Sequence, residues 1–212
     1  MKALLTSALA TVALAATTNA QTYLYDFQEQ VGLETGGVYN RTIEKTTSGN
    51  YLMAVTVESP SSSQNKLVIY QMDPSFGLSS YVMAEIALPA YGGTFEPNDI
   101  IEGHDGTYVI CGEIVQEGAG GGGFLMSVKP KKGSYTFDWL QVYPNSNAGG
   151  MTKVATLKQV VKTHSGYMAI AAGTIGGIVM GTDQFGDPQW SHHVYDNQYT
   201  LNHMSQLNDI VS

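Results

Sequence analysis

The sequence predicts an all-β fold assembled from short strands in recurring four-stranded units. Three observations carry that expectation. Apolar runs stop within a few residues at Gly, Asn, Asp, Ser or Pro. One order of strand and turn features recurs three times along the chain. The 24 glycines in 212 residues, set against only 13% charged residues, suit turn-rich sheet and not solvated helices.

The first twenty residues read as a secretory leader. Met1-Lys2 gives a positive start, residues 3–16 are apolar with only small Thr and Ser interruptions, and Thr18-Asn19-Ala20 ends the stretch with small residues. The apolar stretch is shorter than the ~20 residues that a membrane span needs, and no later segment is long and apolar enough to cross. The expected mature chain starts at Gln21 and is secreted or periplasmic. Residues 21–212 form one domain, either whole or partial.

Within that domain three segments share an order: a short apolar pair, a small-residue turn, a Tyr-led strand, a variable Gly/Ser loop, a second apolar strand and an aromatic-bearing third. The first runs from Thr42-Ile43-Glu44 through Ser48-Gly49-Asn50 to Tyr51, then over 67–72 and 81–88. The second runs from Asp99-Ile100-Ile101 through Asp105-Gly106-Thr107 to Tyr108, then over 124–128 and 135–143. The third runs from Val160-Val161 through Ser165-Gly166 to Tyr167, then over 178–181 and 189–195. The lead tyrosines stand 57 and 59 residues apart. Four short strands per unit of this length are the pattern of β-propeller blades. The strands lack strict polar alternation, as expected where both faces of a blade are covered.

Two stretches also resemble a known family. Asp105-Gly106-Thr107-Tyr108-Val109-Ile110-Cys111-Gly112 and Asp183-Gln184-Phe185-Gly186-Asp187-Pro188-Gln189-Trp190 are similar to the Asp-Gly-Gly-Tyr-x-x-x-Gly and Asp-x-x-Gly-x-x-x-Trp elements of secreted β-propeller repeat proteins of Kelch-like or quinoprotein-like type. The resemblance implies about three four-stranded blades. The chain departs from it at Val55 and Ala171, which replace the glycine kept as Gly112, and closing tryptophans occur only at Trp139 and Trp190.

The ends carry orphan strands. Tyr23-Leu24-Tyr25-Asp26-Phe27 matches Trp139-Leu140-Gln141-Val142-Tyr143 in type and spacing, and Leu207-Asn208-Asp209-Ile210-Val211 matches Pro97-Asn98-Asp99-Ile100-Ile101. Three units do not close a propeller. The expectation is therefore a piece of a longer propeller or, for a whole chain, a homodimer with mixed blades.

Charge and cysteine usage narrow the partners. Ten Lys plus Arg face 18 Asp plus Glu, a formal charge of −8, so nucleic acid is excluded as a partner. Cys111 is the only cysteine and sits in an apolar run, which predicts a buried thiol and not a nucleophile. Asn40-Arg41-Thr42 is the only N-glycosylation sequon.

Candidate chemistry reduces mostly to structure. The Gly-rich run 118–123 is followed by a strand and by no helix or Lys-Ser/Thr, so it reads as a hairpin loop and not a phosphate cradle. His192 and His193 point to opposite faces of a strand, and with His203 they do not make a zinc site. His104 and His164 hold equivalent turn positions. Asp183 and Asp187 lack the alternating oxygens of a calcium loop. No metal, cofactor or catalytic residue is expected. Glu96, Asp99, Glu102 and Asp105 cluster in sequence, and the alternative reading is a glycan-active propeller enzyme using such acids near a central channel. The favoured reading is a binding module for an extracellular glycan or protein. Its connecting segments 90–97, 145–150 and 196–200 are neutral, rich in Gly, Asn and Ser and tipped with Tyr and Phe, and the candidate ligand-binding residues in and beside them are Tyr91, Phe95, Asn98, Asp99, Asn197 and Tyr199.

Overall fold

The structure is a computed structural model, and it describes residues 38–57, 66–73, 82–85, 93–115, 121–131, 134–144, 154–173 and 176–194. All of these fall in the unit Val38–Ser212. The expected strands 21–27 and 207–211, and the leader, lie outside the described residues.

The described chain is all-β, in three four-stranded antiparallel sheets. Sheet 1 consists of β1 (Val38–Lys45), β2 (Tyr51–Val57), β3 (Lys66–Met72) and β4 (Val82–Glu85). Sheet 2 consists of β5 (Thr94–Glu102), β6 (Tyr108–Val115), β7 (Gly122–Lys131) and β8 (Ser134–Pro144). Sheet 3 consists of β9 (Val154–Lys162), β10 (Gly166–Gly173), β11 (Gly176–Asp183) and β12 (Pro188–Val194). Each sheet is a meander in which strands pair in chain order. Among the described residues, backbone-bonded turns at 46–50, 103–107, 163–166 and 183–187 join β1 to β2, β5 to β6, β9 to β10 and β11 to β12. Among the described residues no helix is long and apolar enough to cross a membrane; one 3-10 turn spans His104–Gly106.

The lead tyrosines occupy one register. Tyr51 pairs with Lys45 and Met72, Tyr108 with Glu102 and Val128, and Tyr167 with Lys162 and Thr182. The first strands are longer than the apolar pairs suggest, because β9 mixes Thr156, Lys158 and Gln159 with its apolar positions. Residues 94–97, assigned from sequence to a connecting segment, belong to β5 instead. Pro97 is tolerated there because β5 is an edge strand of its sheet, and a bulge follows between Pro97 and Asp99.

Sheet 2 lies between the other two, and the strict period of two in a strand sorts its residues between two cores. Ile100, Ile110, Phe124 and Met126 pack with Leu52, Ala54, Leu67 and Ile69 of sheet 1. Val109, Cys111, Leu125 and Tyr143 pack with Leu157, Val160, Ala169 and Ile178 of sheet 3. Consecutive residues of β6 thus serve opposite cores, which explains why its sequence shows no polar alternation. Phe95 meets Phe124 edge to face, with ring centroids 5.1 Å apart. Burial of this apolar surface is the main stabilising term.

Candidate functional site

Among the described residues, a group of hydrogen-bonded polar side chains converges where the first strands of the three sheets run beside one another. β1 packs on β5 and β5 packs on β9. The β5 bulge holds Asn98 and Asp99 at that junction. The Asn98 amide nitrogen donates to Thr156 Oγ1 at 2.9 Å and to the Leu157 carbonyl at 2.7 Å, both in β9. Asp99 Oδ2 accepts the backbone N–H of Val160 at 3.0 Å. Its other oxygen accepts from Ile100 N at 2.9 Å and from the Thr42 hydroxyl of β1 at 3.4 Å. One carboxylate therefore ties together strands of all three sheets.

Electrostatics at the junction are acidic. Burial pushes the Asp99 carboxyl above its ordinary value, and the bonds from Val160, Ile100 and Thr42 pull the other way. Burial also raises Glu44, with the negative charges of Asp99 and Glu102 adding to the effect. Glu102 Oε2 accepts the backbone N–H of Thr47 at 2.9 Å, joining sheet 2 to the first turn of sheet 1. The carboxylates that the sequence grouped by proximity are thus partly distributed into inter-sheet bonds.

The candidate ligand-binding residues divide into two groups. Phe95 is buried in the core between sheets 1 and 2, where its carbonyl accepts the Thr56 hydroxyl. Asn98 and Asp99 stand at the junction just described. Tyr91, Asn197 and Tyr199 lie outside the described residues. The structure brings together Phe95, Asn98 and Asp99 on one strand, with their side chains engaged with protein groups.

A second junction joins sheets 2 and 3 at their outer part. The Asp183 carboxylate accepts from Phe185 N at 2.8 Å and from Asp187 N at 3.0 Å, folding residues 183–187 into a carboxylate-centred turn. Gly186 holds φ +81°, and a Cβ there would collide with the Trp139 ring. Its carbonyl accepts the Tyr143 hydroxyl at 2.6 Å, and the Gln141 amide donates to Asp187 Oδ1 at 2.7 Å. Trp139 also meets Tyr167 of sheet 3. Sequence reasoning singled out Asp183, Gly186 and Trp139 as pattern residues but did not place this turn on the preceding sheet. The available signal was the glycine, which a left-handed backbone against an aromatic ring requires.

The remaining candidates are placed as follows. Cys111 is fully buried, and burial pushes its thiol well above the ordinary value. His192 and His193 are adjacent on β12, pairing with Val179 and Ile178; His203 lies outside the described residues. The His104 ring contacts the Gly166 carbonyl at 3.1 Å, and Tyr167 lies edge-on to it. Among the described residues no group of three or more His, Cys, Asp or Glu is placed to hold a metal ion. The Gly-rich run leads into the strand β7, which begins within it at Gly122. Comparison with protein-family models, with curated proteins and with solved structures finds no match.

Proposed function

We propose that the chain is an exported binding module of propeller-type blades, which recognises a saccharide or a peptide with the segments that connect the blades. The blade reading is supported by the three meander sheets stacked face on face, with their first strands side by side. That order is expected of blades whose first strands line a common axis. The single observation that favours binding over catalysis is Asp99. Its carboxylate accepts three hydrogen bonds from protein groups, two of them to neighbouring sheets, which suits a fastener better than a proton donor. With Phe95 buried and Asn98 engaged, Tyr91, Asn197 and Tyr199 of the connecting segments supply the aromatic and amide groups for stacking and hydrogen bonding.

A glycan-active enzyme is the second reading, and Glu44 with Asp99 favours it. These are two carboxyls with raised proton affinity within electrostatic reach of each other. A glycan array combined with a hydrolase panel on the chain separates the two. Binding without turnover, weakened by Tyr91→Ala or Tyr199→Ala, is the expected result. Turnover that disappears in Glu96→Gln or Asp99→Asn would establish the enzyme instead. Export carries its own check: mass spectrometry of secreted protein should find Gln21 at the N-terminus, and mature protein still bearing residues 1–20 would refute it.

A further inference from the structure

Three residues hold one place in the three sheets. Thr42, Asp99 and Gln159 each stand on the first strand opposite the residue three beyond the lead tyrosine, namely Ala54, Cys111 and Ile170. What this place does is visible twice. Between sheets 1 and 2 the Thr42 hydroxyl donates to the carboxylate of Asp99. Between sheets 2 and 3 the Asp99 carboxylate accepts the N–H of Val160, the residue after Gln159. In both sheet pairs the place fastens one first strand to the next, supplying a donor in sheet 1 and an acceptor in sheet 2.

Sheet 3 presents the same place on its far face, with Gln159 opposite Ile170. Ile170 lies between Ala169 and Ala171, which face sheet 2, so its side chain projects from the opposite side. It is only 1% exposed, yet it belongs to neither core cluster. Farther out on the same face Trp190 lies across Gly181 and is 44% exposed. Its counterpart on sheet 2, Trp139, is covered by the Gly186 turn of sheet 3. The far face is therefore covered toward β9 and open toward β12.

Resting on the blade reading, we propose that the far face of sheet 3 docks this chain's own residues 207–211 alongside β9, with Gln159 as the fastener. The segment Leu207-Asn208-Asp209-Ile210-Val211 reproduces Pro97-Asn98-Asp99-Ile100-Ile101, the part of β5 that docks on sheet 1 through Ile100 and Thr42. In the matching register the Gln159 carbonyl oxygen accepts the N–H of Ile210, as Asp99 accepts that of Val160. The Gln159 amide nitrogen donates to the Asp209 carboxylate, as Thr42 donates to that of Asp99. An amide is the side chain that performs both tasks at once. An aspartate in this place would set two carboxylates against each other, and glutamine removes that repulsion. Ile210 then covers Ile170 as Ile100 covers Ala54.

Residue-resolved amide hydrogen exchange on the full chain tests the docking. Ile210 N–H should exchange at least about tenfold more slowly than in an unfolded chain, and Gln159→Ala should cancel about fivefold or more of that protection, the factor carried by one hydrogen bond of ~1 kcal/mol. Gln159→Glu should abolish the protection at neutral pH, and adding Asp209→Asn should restore it. Amides of β6 report whether each variant is folded. Where a variant is not, formation of an intramolecular disulfide in a Gln159→Cys/Ile210→Cys chain supports the docking, and its absence overturns it. An unprotected Ile210 beside a protected Val160 overturns this inference and leaves the blade reading standing. An unprotected Val160 overturns both. Protection of Ile210 that ignores every change at Gln159 overturns the role given to that residue and with it the proposal.

Discussion

The Tyr143 hydroxyl donates to the carbonyl of Gly186 at 2.6 Å, so an outer strand of sheet 2 holds the last turn of sheet 3. That bond requires Gly186 to keep its left-handed backbone against the Trp139 ring. Burial pushes the Tyr143 phenol far above its ordinary range, so at neutral pH it is a protonated donor.

Gly186→Ala should destabilise the protein by about 2–3 kcal/mol, combining left-handed strain with the displaced indole. Gly106→Ala is the control. Gly106 has φ +72° but nothing within reach of an added Cβ, so only the strain of about 1 kcal/mol applies. Urea titration of both variants measures the difference, and equal losses would show that the contact with Trp139 contributes nothing.

Asp99→Ala should cost about 2–3 kcal/mol, because it leaves the Val160 N–H and the Thr42 hydroxyl without their acceptor inside the structure. Asp99→Asn retains an acceptor oxygen and should cost less. A melting midpoint for Asp99→Ala indistinguishable from that of the parent chain would contradict the fastening role.

Glu44 and Asp99 set the sign of the pH response at the junction. Their carboxyls are raised in the folded chain, so the folded state holds their protons more tightly than the unfolded one. The associated stability is fully present below their ordinary values of 4.5 and 3.8 and is lost as pH rises through the raised ones. Glu44→Gln removes one of these penalties. Its melting temperature should exceed that of the parent at pH 7, and the gap should close toward pH 4; a gap that widens in acid would reverse the assignment.

The two tryptophans should differ in access to solvent. Acrylamide should quench Trp190 fluorescence in a Trp139→Phe chain, since Trp190 is an exposed large side chain. It should quench Trp139 much less in a Trp190→Phe chain, because Gly186 and Tyr167 lie against that ring. Equal quenching constants would mean that the 183–187 turn does not cover Trp139 in solution.

The second strand of each sheet was legible because Tyr51, Tyr108 and Tyr167 open apolar runs that end at turn residues, a local signal. First strands were less so. β9 hid behind Lys158 and Gln159, an exposed and a half-buried position that interrupt its apolar run. Phe95 read as a loop residue because Gly and Pro flank it, yet an edge strand with a bulge accommodates Pro97. At the junction Asn98 and Asp99 attracted notice as a pair. Their partners Thr156, Leu157, Val160 and Thr42 stand 57 to 61 residues away and carry no mark of the pairing in the sequence.

Sheet 2 is apolar on both faces, and this has a consequence for how its strands find their alignment. In a half-solvated sheet, sliding a strand by one residue turns its oily side to water, and that cost selects the correct alignment. β6 has little of that safeguard, since Val109, Ile110, Cys111, Gly112 and Ile114 are buried whichever way they point. Discrimination against a slipped strand must come from groups that fit in only one alignment. The bulge at Asn98 and the carboxylate of Asp99 are of that kind, so variants there should accumulate misaligned, aggregation-prone species during refolding even under conditions where the finished fold tolerates them.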